Sequence, residues 1–474
     1  MILSNKYRNL AQNTAIFAIG TFSSKVLVFL MMPIYTRALT TAEYGTVDLI
    51  QQISNLLVPI VTLGVTNALI RFGADRSFRK NDVFTTGVIC LLGGFSLLLC
   101  FAPVIHMISY TSDHTVMLYF FVLMSSAREL CSQFSRAKGY VKLFAFDGFL
   151  STLMTCLLTI TFLLGFKWGI NGYLSAIIVS DALSTIFLFF SARLYQNIKF
   201  RSLNKRTFKM MLRFAVPMIP STLLWWIVSV SDRYVITYVV GPEANGLYAA
   251  AYKIPTIIVL VSTIFMNAWQ VSAFAETKDK KALARFFSNV FRGYQSIIFL
   301  AGGLLIPFSK ICTIILVSKD YYESWRFIPF LMLSTIYNCL VQFMGSVYMV
   351  ERKSMATLIT SIVAGVVNIA GNFTLIPLFG VNGAAYATCF SYFLVFVIRA
   401  IHTKKFIRIN YSVLKFGVNA VLTLAQAIIM ITEVPGWIIY EVILTLLILL
   451  LNIKVLILSF KKIVGRFGRK KAKT

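Results

Sequence analysis

Residues 213–253 read RFAVPMIPSTLLWWIVSVSDRYVITYVVGPEANGLYAAAYK and carry the pattern that decides the fold. An apolar segment long enough to cross a bilayer, which takes about 20 residues, is followed by a break at Gly241-Pro242 and the start of a second such segment. Ionisable residues interrupt both segments: Asp232 and Arg233 near the end of the first, and Lys253 early in the second. Because charged groups are costly in hydrocarbon, we expect them to face the interior of a helix bundle or a water-filled cavity.

The same pattern opens the chain. Lys25 lies inside the apolar run 10–34, the segment Leu39-Thr-Thr-Ala-Glu-Tyr-Gly45 interrupts it, and the next apolar run carries Asp48. Two copies of one arrangement are therefore expected, placed around something polar.

The composition identifies an integral membrane protein. Hydrophobic residues make up 58% of the 474 positions and charged residues only 13%, whereas soluble domains approach a quarter charged. The net charge of +28 would suggest a nucleic-acid partner in a soluble protein, but no basic face or aromatic-interleaved motif accompanies it. The seven cysteines are scattered singly and only three histidines occur, so the sequence predicts no metal site, no cofactor and no enzyme activity.

Apolar segments predict an all-α polytopic protein with about fourteen transmembrane helices. The predicted spans are 10–34, 45–69, 83–105, 115–135, 143–165, 170–192, 209–236, 246–271, 286–308, 325–350, 354–378, 382–401, 412–432 and 437–460. Lys and Arg should cluster on alternate connections, and 36 of the 45 basic residues do so. This alternation predicts an even number of spans with both termini in the cytoplasm.

An internal repeat divides the chain. Shifting the sequence by 211 residues places Gly169-Ile-Asn-Gly172 on Gly380-Val-Asn-Gly383. Since six spans separate the copies, the repeats run parallel, related by an axis along the membrane normal. The predicted parts are an N-terminal lobe 1–192, a basic cytoplasmic linker 193–213 that runs into span seven, a C-terminal lobe 214–408, two appended spans 409–460 and a basic cytoplasmic tail 461–474 that anionic lipid attracts.

Lys25, Lys253 and Arg233 are the candidate anion-binding residues, because they lie in the first helix pair of each lobe. We expect them to line a cavity between the lobes. The alternatives are snorkelling to the headgroups and pairing with a buried carboxylate.

Two further sets of residues lie within the spans. Asp48, Asp147 and Asp181 are candidates for coupling transport to an ion gradient, with structural ion pairs as the alternative. Trp225, Trp226 and Tyr252 are candidates for stacking on sugar rings, with helix packing as the alternative.

Several short motifs resemble a known family. They are Asn13-Thr-Ala-Ile-Phe-Ala-Ile-Gly20, the connection from Pro33-Ile-Tyr-Thr-Arg37 to Ala42-Glu-Tyr-Gly45, and the two Gly-x-Asn-Gly segments. With fourteen spans as two six-helix repeats plus two, the chain resembles the polysaccharide transporter family, to which O-antigen and capsule repeat-unit flippases belong. This family is part of the multidrug/oligosaccharidyl-lipid/polysaccharide (MOP) exporter superfamily.

The resemblance implies a V-shaped pair of lobes that opens alternately to the two faces of the bacterial cytoplasmic membrane. Its cargo would be an oligosaccharide linked to undecaprenyl diphosphate, and Lys25 and Lys253 would bind the diphosphate. Membrane lipids and other polysaccharide assembly proteins are the implied partners. Peptidoglycan-precursor flippases of the superfamily usually carry several arginines in the first spans, where this chain has Lys25 and Arg37, and its drug antiporters usually stop at twelve spans. Within transport, the alternatives are a cation-coupled multidrug exporter and a peptidoglycan-precursor flippase of the same superfamily. Outside transport, the alternative is a membrane-embedded polysaccharide polymerase or glycosyltransferase.

Overall fold

The computed structural model describes residues 22–75, 77–103, 112–200, 203–275, 280–351 and 353–471. These residues are almost entirely helical, and no strand occurs among them. The chain forms two compact units, the first ending at Val230 and the second beginning at Ser231. The division falls inside one helix, beyond the basic segment 193–213.

The first unit contains eight described α-helices and the start of a ninth. They are α1 (Met32–Ala38), α2 (Thr41–Val61), α3 (Val65–Ala74), α4 (Lys80–Cys100), α5 (Thr115–Ala137), α6 (Val141–Ile160), α7 (Gly169–Ser191), α8 (Lys205–Ala215) and α9 (Ile219–Val239). Residues 22–30, before α1, are also helical.

The second unit contains the end of α9 and nine further described helices. They are α10 (Pro242–Lys253), α11 (Thr256–Ala275), α12 (Lys280–Leu305), α13 (Ser309–Leu316), α14 (Ile328–Val350), α15 (Ser354–Phe379), α16 (Val381–His402), α17 (Val413–Thr432) and α18 (Trp437–Lys471). The helix α14 is the most enclosed of them, with most of its side chains buried inside the unit.

The helices confirm the all-α membrane fold. Within the described ranges, nine helices are long and apolar enough to span a membrane, or up to twelve if each of three bent pairs is one span. The helix α5 matches the fourth predicted span, but its charged and hydroxyl side chains exclude it from that set. The first predicted span, 10–34, lies partly outside the described residues. The count of fourteen therefore stays a prediction.

One predicted span is bent in the structure, and another is followed by a bend. The predicted span 45–69 is two helices, α2 and α3, which meet at 52°. The bend occurs at Gly64, whose φ of +64° favours glycine, and a Cβ there would approach the carbonyl oxygen of Ala215 to 3.0 Å. Similarly, α12 and α13 meet at 69°, so the short apolar segment 310–317 forms a separate turn of helix after the ninth predicted span.

Local hydrogen bonding explains why the predicted break at 39–45 starts a helix. The Thr40 hydroxyl accepts a hydrogen bond from the Glu43 backbone N–H at 3.3 Å, and the Glu43 carboxylate accepts one from the Thr40 backbone N–H at 2.8 Å. This reciprocal capping box satisfies two of the N–H groups that a helix start leaves without partners. At the corresponding break in the second unit, Pro242 occupies the first turn of α10, where its missing N–H costs nothing.

The two Gly-x-Asn-Gly segments have the same local structure in both units. Gly169 and Gly380 have φ values of +56° and +59° at the starts of α7 and α16. The last glycine of each motif lies against the end of the preceding helical segment, so that a Cβ on Gly383 would lie 2.1 Å from the Leu375 carbonyl oxygen. Farther along, Ser180 and Ser391 each donate a hydrogen bond at 2.8 Å to a carbonyl of the preceding helix. The sequence repeat is thus matched by a repeat of helix packing.

Candidate functional site

Arg128 is the centre of a buried charge cluster in the first unit. Its Nη1 lies 3.1 Å from Oδ1 of Asp181 and its Nη2 lies 3.7 Å from Oδ2 of Asp147. Its Nε donates a hydrogen bond to Ser184 at 3.0 Å, and Ser184 in turn donates to Asp147. The cluster joins α5, α6 and α7. One cation therefore faces two carboxylates, which supports the structural reading of Asp147 and Asp181 that the sequence left open.

The cluster predicts a specific stability change. We expect Arg128→Gln to destabilise the protein by about 3 kcal/mol, because removing one partner of a buried ion pair leaves the other uncompensated. Thermal unfolding in detergent measures it, and Arg136→Gln is the matched control, an exposed cation two turns along α5. Adding Asp181→Asn to Arg128→Gln should recover part of the loss. Equal unfolding temperatures for the Arg128 and Arg136 variants would contradict the structural role.

Asp48 lies on α2. It is only 5% exposed, within the half of α2 that follows the capping box. The same unit contains a group of buried tyrosines, in which the rings of Tyr35 and Tyr173 are 5.1 Å apart and those of Tyr35 and Tyr44 are 6.4 Å apart. A carboxylate this deep in a membrane helix is a candidate for protonation or ion binding.

The second unit contains the ionisable residues Asp232, Arg233 and Lys253. Asp232 is buried and accepts a hydrogen bond at 2.7 Å from the Tyr248 hydroxyl. The Arg233 guanidinium, also buried, lies 5.2 Å from the centre of the Tyr252 ring, within the range of a cation–π contact. Lys253 ends α10 and is half-buried. The break at Gly241 therefore brings Asp232 and Arg233 of α9 against the tyrosines of α10.

The other predicted site residues are one cation and three aromatic residues: Lys25, Trp225, Trp226 and Tyr252. Lys25 belongs to the helical residues 22–30 and is exposed, and none of the described ion pairs includes it. The indole N–H of Trp226 donates to the Gln52 carbonyl at 2.9 Å, within the first unit. The side chain of Trp225 lies outside the described residues. Tyr252 uses one ring face for Arg233.

Arg399 is a buried cation that the sequence analysis did not single out. It lies in α16, 3% exposed, and donates to the Val341 carbonyl at 2.9 Å and to the Thr360 hydroxyl at 3.0 Å. In the part of the chain that the structure describes, no carboxylate pairs with it. It joins α14, α15 and α16, as Arg128 joins three helices of the first unit. The predicted span 382–401 includes Arg399, so the signal available in the sequence was a charged residue within a predicted span.

A second overlooked group lies in the appended helices. Glu441 on α18 is 2% exposed, and neither carboxylate oxygen has a hydrogen-bond partner among the described residues. Nearby, the Gln426 side-chain amide donates to the Gly303 carbonyl at 3.1 Å and to Thr445 at 2.9 Å. Polar side chains thus fasten α17 and α18 to α12. The signal in the sequence was a carboxylate within the predicted span 437–460.

Within the described residues, no group of three or more His, Cys, Asp or Glu side chains could hold a metal ion. The described site residues are suited to electrostatic interactions. Buried cations can bind an anion, and buried carboxylates can take a proton or bind a cation. These are the groups expected of a transport protein.

Comparisons with known structures place the fold among transporters. The chain is similar to the lipid II flippase MurJ in an inward closed conformation, with a TM-score of 0.67 and 15% identity, covering 95% of this chain and 99% of that one. A MATE transporter from Vibrio cholerae matches with a TM-score of 0.58 and 15% identity over 85% of this chain and 97% of its own. An inward-facing multidrug resistance MATE transporter of the MOP superfamily gives a TM-score of 0.61 at 13% identity, covering 83% of this chain and 94% of its own. At these identities the likeness concerns the fold alone.

Sequence comparison adds the family. A curated protein of Haemophilus influenzae, the Lsg locus putative protein 1, is 25% identical over 285 residues, which is 57% of this chain and 67% of that protein. A family model described as polysaccharide biosynthesis protein matches residues 10–270, more than half of the chain. The family resemblance found in the short motifs is confirmed, and the chain is a membrane protein that belongs to the polysaccharide biosynthesis protein family.

Proposed function

We propose that this protein is a flippase that moves undecaprenyl-diphosphate-linked oligosaccharide repeat units across the bacterial cytoplasmic membrane, for O-antigen, capsule or exopolysaccharide synthesis. The observation that carries the proposal is the polysaccharide biosynthesis family match over residues 10–270. The transporter fold supports a transport step rather than a bond-forming one. Movement by alternating access would leave the lipid tail in the bilayer while the polar head crosses through protein.

The cations on the membrane helices support an anionic cargo. A diphosphate that leaves water needs compensating positive charge, and charge-assisted hydrogen bonds from lysine or arginine provide it. We assign this role to Lys25 in the first unit and to Lys253 and Arg233 in the second. Lysine offers a point charge without fixed geometry, so the choice of sugar would depend on other groups, for which Trp225, Trp226 and Tyr252 remain the candidates.

Energy for directed movement requires a group that responds to an ion gradient. We propose Asp48 for this role, because it is a carboxylate buried on a predicted membrane helix, α2. Asp147 and Asp181 share one arginine, so a change in their charge would act first on the packing of α5, α6 and α7.

A second cargo is favoured by one observation. The similarity to the lipid II flippase extends over almost the whole of both chains, so a peptidoglycan precursor is the alternative cargo. The basic residues of the first spans, Lys25 and Arg37, argue for the oligosaccharide instead, because several arginines are usual there in peptidoglycan-precursor flippases. Both cargoes would use the same cations, and a transport assay separates them.

The proposed orientation places both termini and the segment 193–213 in the cytoplasm. In a background without the seven native cysteines, we expect Lys205→Cys to resist a membrane-impermeant thiol reagent in intact cells and Pro435→Cys to react. Both positions are exposed, Lys205 at the start of α8 and Pro435 in the connection between α17 and α18. Both should react after permeabilisation, which serves as the control. Labelling of position 205 but not of 435 in intact cells would reverse the topology.

A further inference from the structure

The second unit contains a cavity of about 530 Å³ where α12 meets the connection between α16 and α17. Eight of the residues that line it are polar or charged: Arg292, Gln295, Ser296, Lys404, Asn410, Tyr411, Ser412 and Lys415. No Asp or Glu occurs among the described residues of its lining. None of these residues belongs to the proposed cargo path.

Three cations face this cavity with only neutral partners. The Nε of Arg292 donates to the Asn410 carbonyl at 3.0 Å, and the Nζ of Lys415 lies 3.4 Å from the Ser296 hydroxyl oxygen. Lys404 is exposed. Along the described ranges, none of the three forms an ion pair. The cavity therefore concentrates positive charge, and low-dielectric walls strengthen the attraction for an anion.

A buried amide adds a directional group. Gln295 is 3% exposed and lines the cavity, yet its side chain makes no hydrogen bond to any described residue. Its amide N–H groups can donate hydrogen bonds to a ligand that carries acceptor oxygens. Burial also raises the pKa of Tyr411, so this phenol adds a neutral hydroxyl rather than a negative charge to the lining.

We propose that this cavity binds a phosphate group, carried either by an anionic phospholipid headgroup or by a soluble phosphate compound. Phosphate supplies the negative charge and the acceptor oxygens that three cations and an amide together require. The volume lies within the range of about 300–1,000 Å³ that accommodates small organic ligands and exceeds what a bare phosphate needs. The connection between α16 and α17 lies on the face that the basic residues assign to the cytoplasm, where anionic lipid is available.

The test uses the purified full-length protein in neutral-lipid nanodiscs or mixed micelles. Binding is measured by native mass spectrometry as phosphatidylglycerol, phosphatidylcholine or inorganic phosphate is added. The test variant is Arg292→Gln with Lys404→Gln, which keeps the polar lining. The matched control is Arg285→Gln with Lys405→Gln, which removes two exposed cations from the same helix and the same connection but not from the cavity.

Wild type and the control pair are expected to retain phosphatidylglycerol more strongly than phosphatidylcholine. Each cavity cation removed should weaken retention roughly fivefold. Inorganic phosphate that competes with the lipid and binds with the same dependence on Arg292 and Lys404 would assign the site to soluble phosphates. Equal losses in the two double variants, or equal retention of both lipids by wild type, would overturn the proposal. Gln295→Leu, which removes the amide without changing charge, should also weaken binding, and unchanged binding would show that charge alone attracts the ligand and that no built site exists.

Discussion

Replacing either Lys25 or Lys253 with alanine is expected to reduce translocation of the lipid-linked oligosaccharide by about 10- to 150-fold. This range corresponds to the loss of one hydrogen bond to a charged group, worth about 1.5–3 kcal/mol. Lysine to arginine should retain part of the activity, since it keeps the charge but changes the geometry. The rate of headgroup appearance on the far side of reconstituted vesicles measures the effect.

Matched controls exist in each unit. Lys167→Ala removes an exposed cation from the connection before α7, and Lys319→Ala removes one from the connection after α13. Both should flip cargo at the wild-type rate. Protein abundance is measured in parallel, because loss of a charged partner can itself destabilise the fold. Normal translocation by both lysine variants at normal abundance would assign Lys25 and Lys253 to snorkelling or pairing.

The second large effect concerns Asp48. Asp48→Asn should abolish the acceleration of flipping by an imposed ion gradient while cargo binding is kept. One elementary charge moved across the full potential supplies about 2.3 kcal/mol per 100 mV, enough to bias an alternating-access equilibrium. Asparagine keeps the shape of the side chain but can neither release a proton nor hold a cation by charge.

Asp82→Asn is the matched control for Asp48, because Asp82 is similarly buried but lies in the first turn of α4, where it favours the helix start. The control should keep the gradient response and lose only a little stability. The same gradient dependence in wild type and Asp48→Asn would leave Asp48 a structural residue.

The sequence predicts those features that depend on neighbouring residues. Runs of apolar residues correspond to helices at the second to fourteenth predicted spans, and the shift of 211 residues finds two segments with the same backbone conformation. The capping box at Thr40 and Glu43 is similarly local. Helix length, capping and turn chemistry are all encoded within a few residues, which is why they can be read without a structure.

Features that depend on packing could not be predicted in the same way. The partners of Arg128 lie 19 and 53 residues away in sequence, and only the packing of α5, α6 and α7 brings them together. Lys310 is a clearer case, since it pairs with Glu433 and lies 4.4 Å from the Trp325 ring and 4.8 Å from the Trp437 ring. These contacts fasten the connection of the appended helices to α13, and no local pattern announces them.

The predicted lobe boundaries stay a prediction, since charge and packing divide the chain by different criteria. A charged linker at 193–213 suggests a boundary between lobes, but the helix α8 within it packs against α3 and α4 of the first unit. The compact units therefore meet inside α9. Charge marks the side of the membrane on which a segment lies, whereas packing decides the unit to which it belongs.

The most direct test of the proposed flippase activity compares three cargoes in vesicles whose only protein is this one. Undecaprenyl-diphosphate-linked oligosaccharide, lipid II and a cationic drug are offered separately, and protected and accessible fractions are followed over time. We expect the protein to accelerate movement of the oligosaccharide carrier, Lys25→Ala and Lys253→Ala each to reduce this acceleration by about 10- to 150-fold, and the drug not to be moved. Transport of the drug or of lipid II without movement of the oligosaccharide carrier would contradict it.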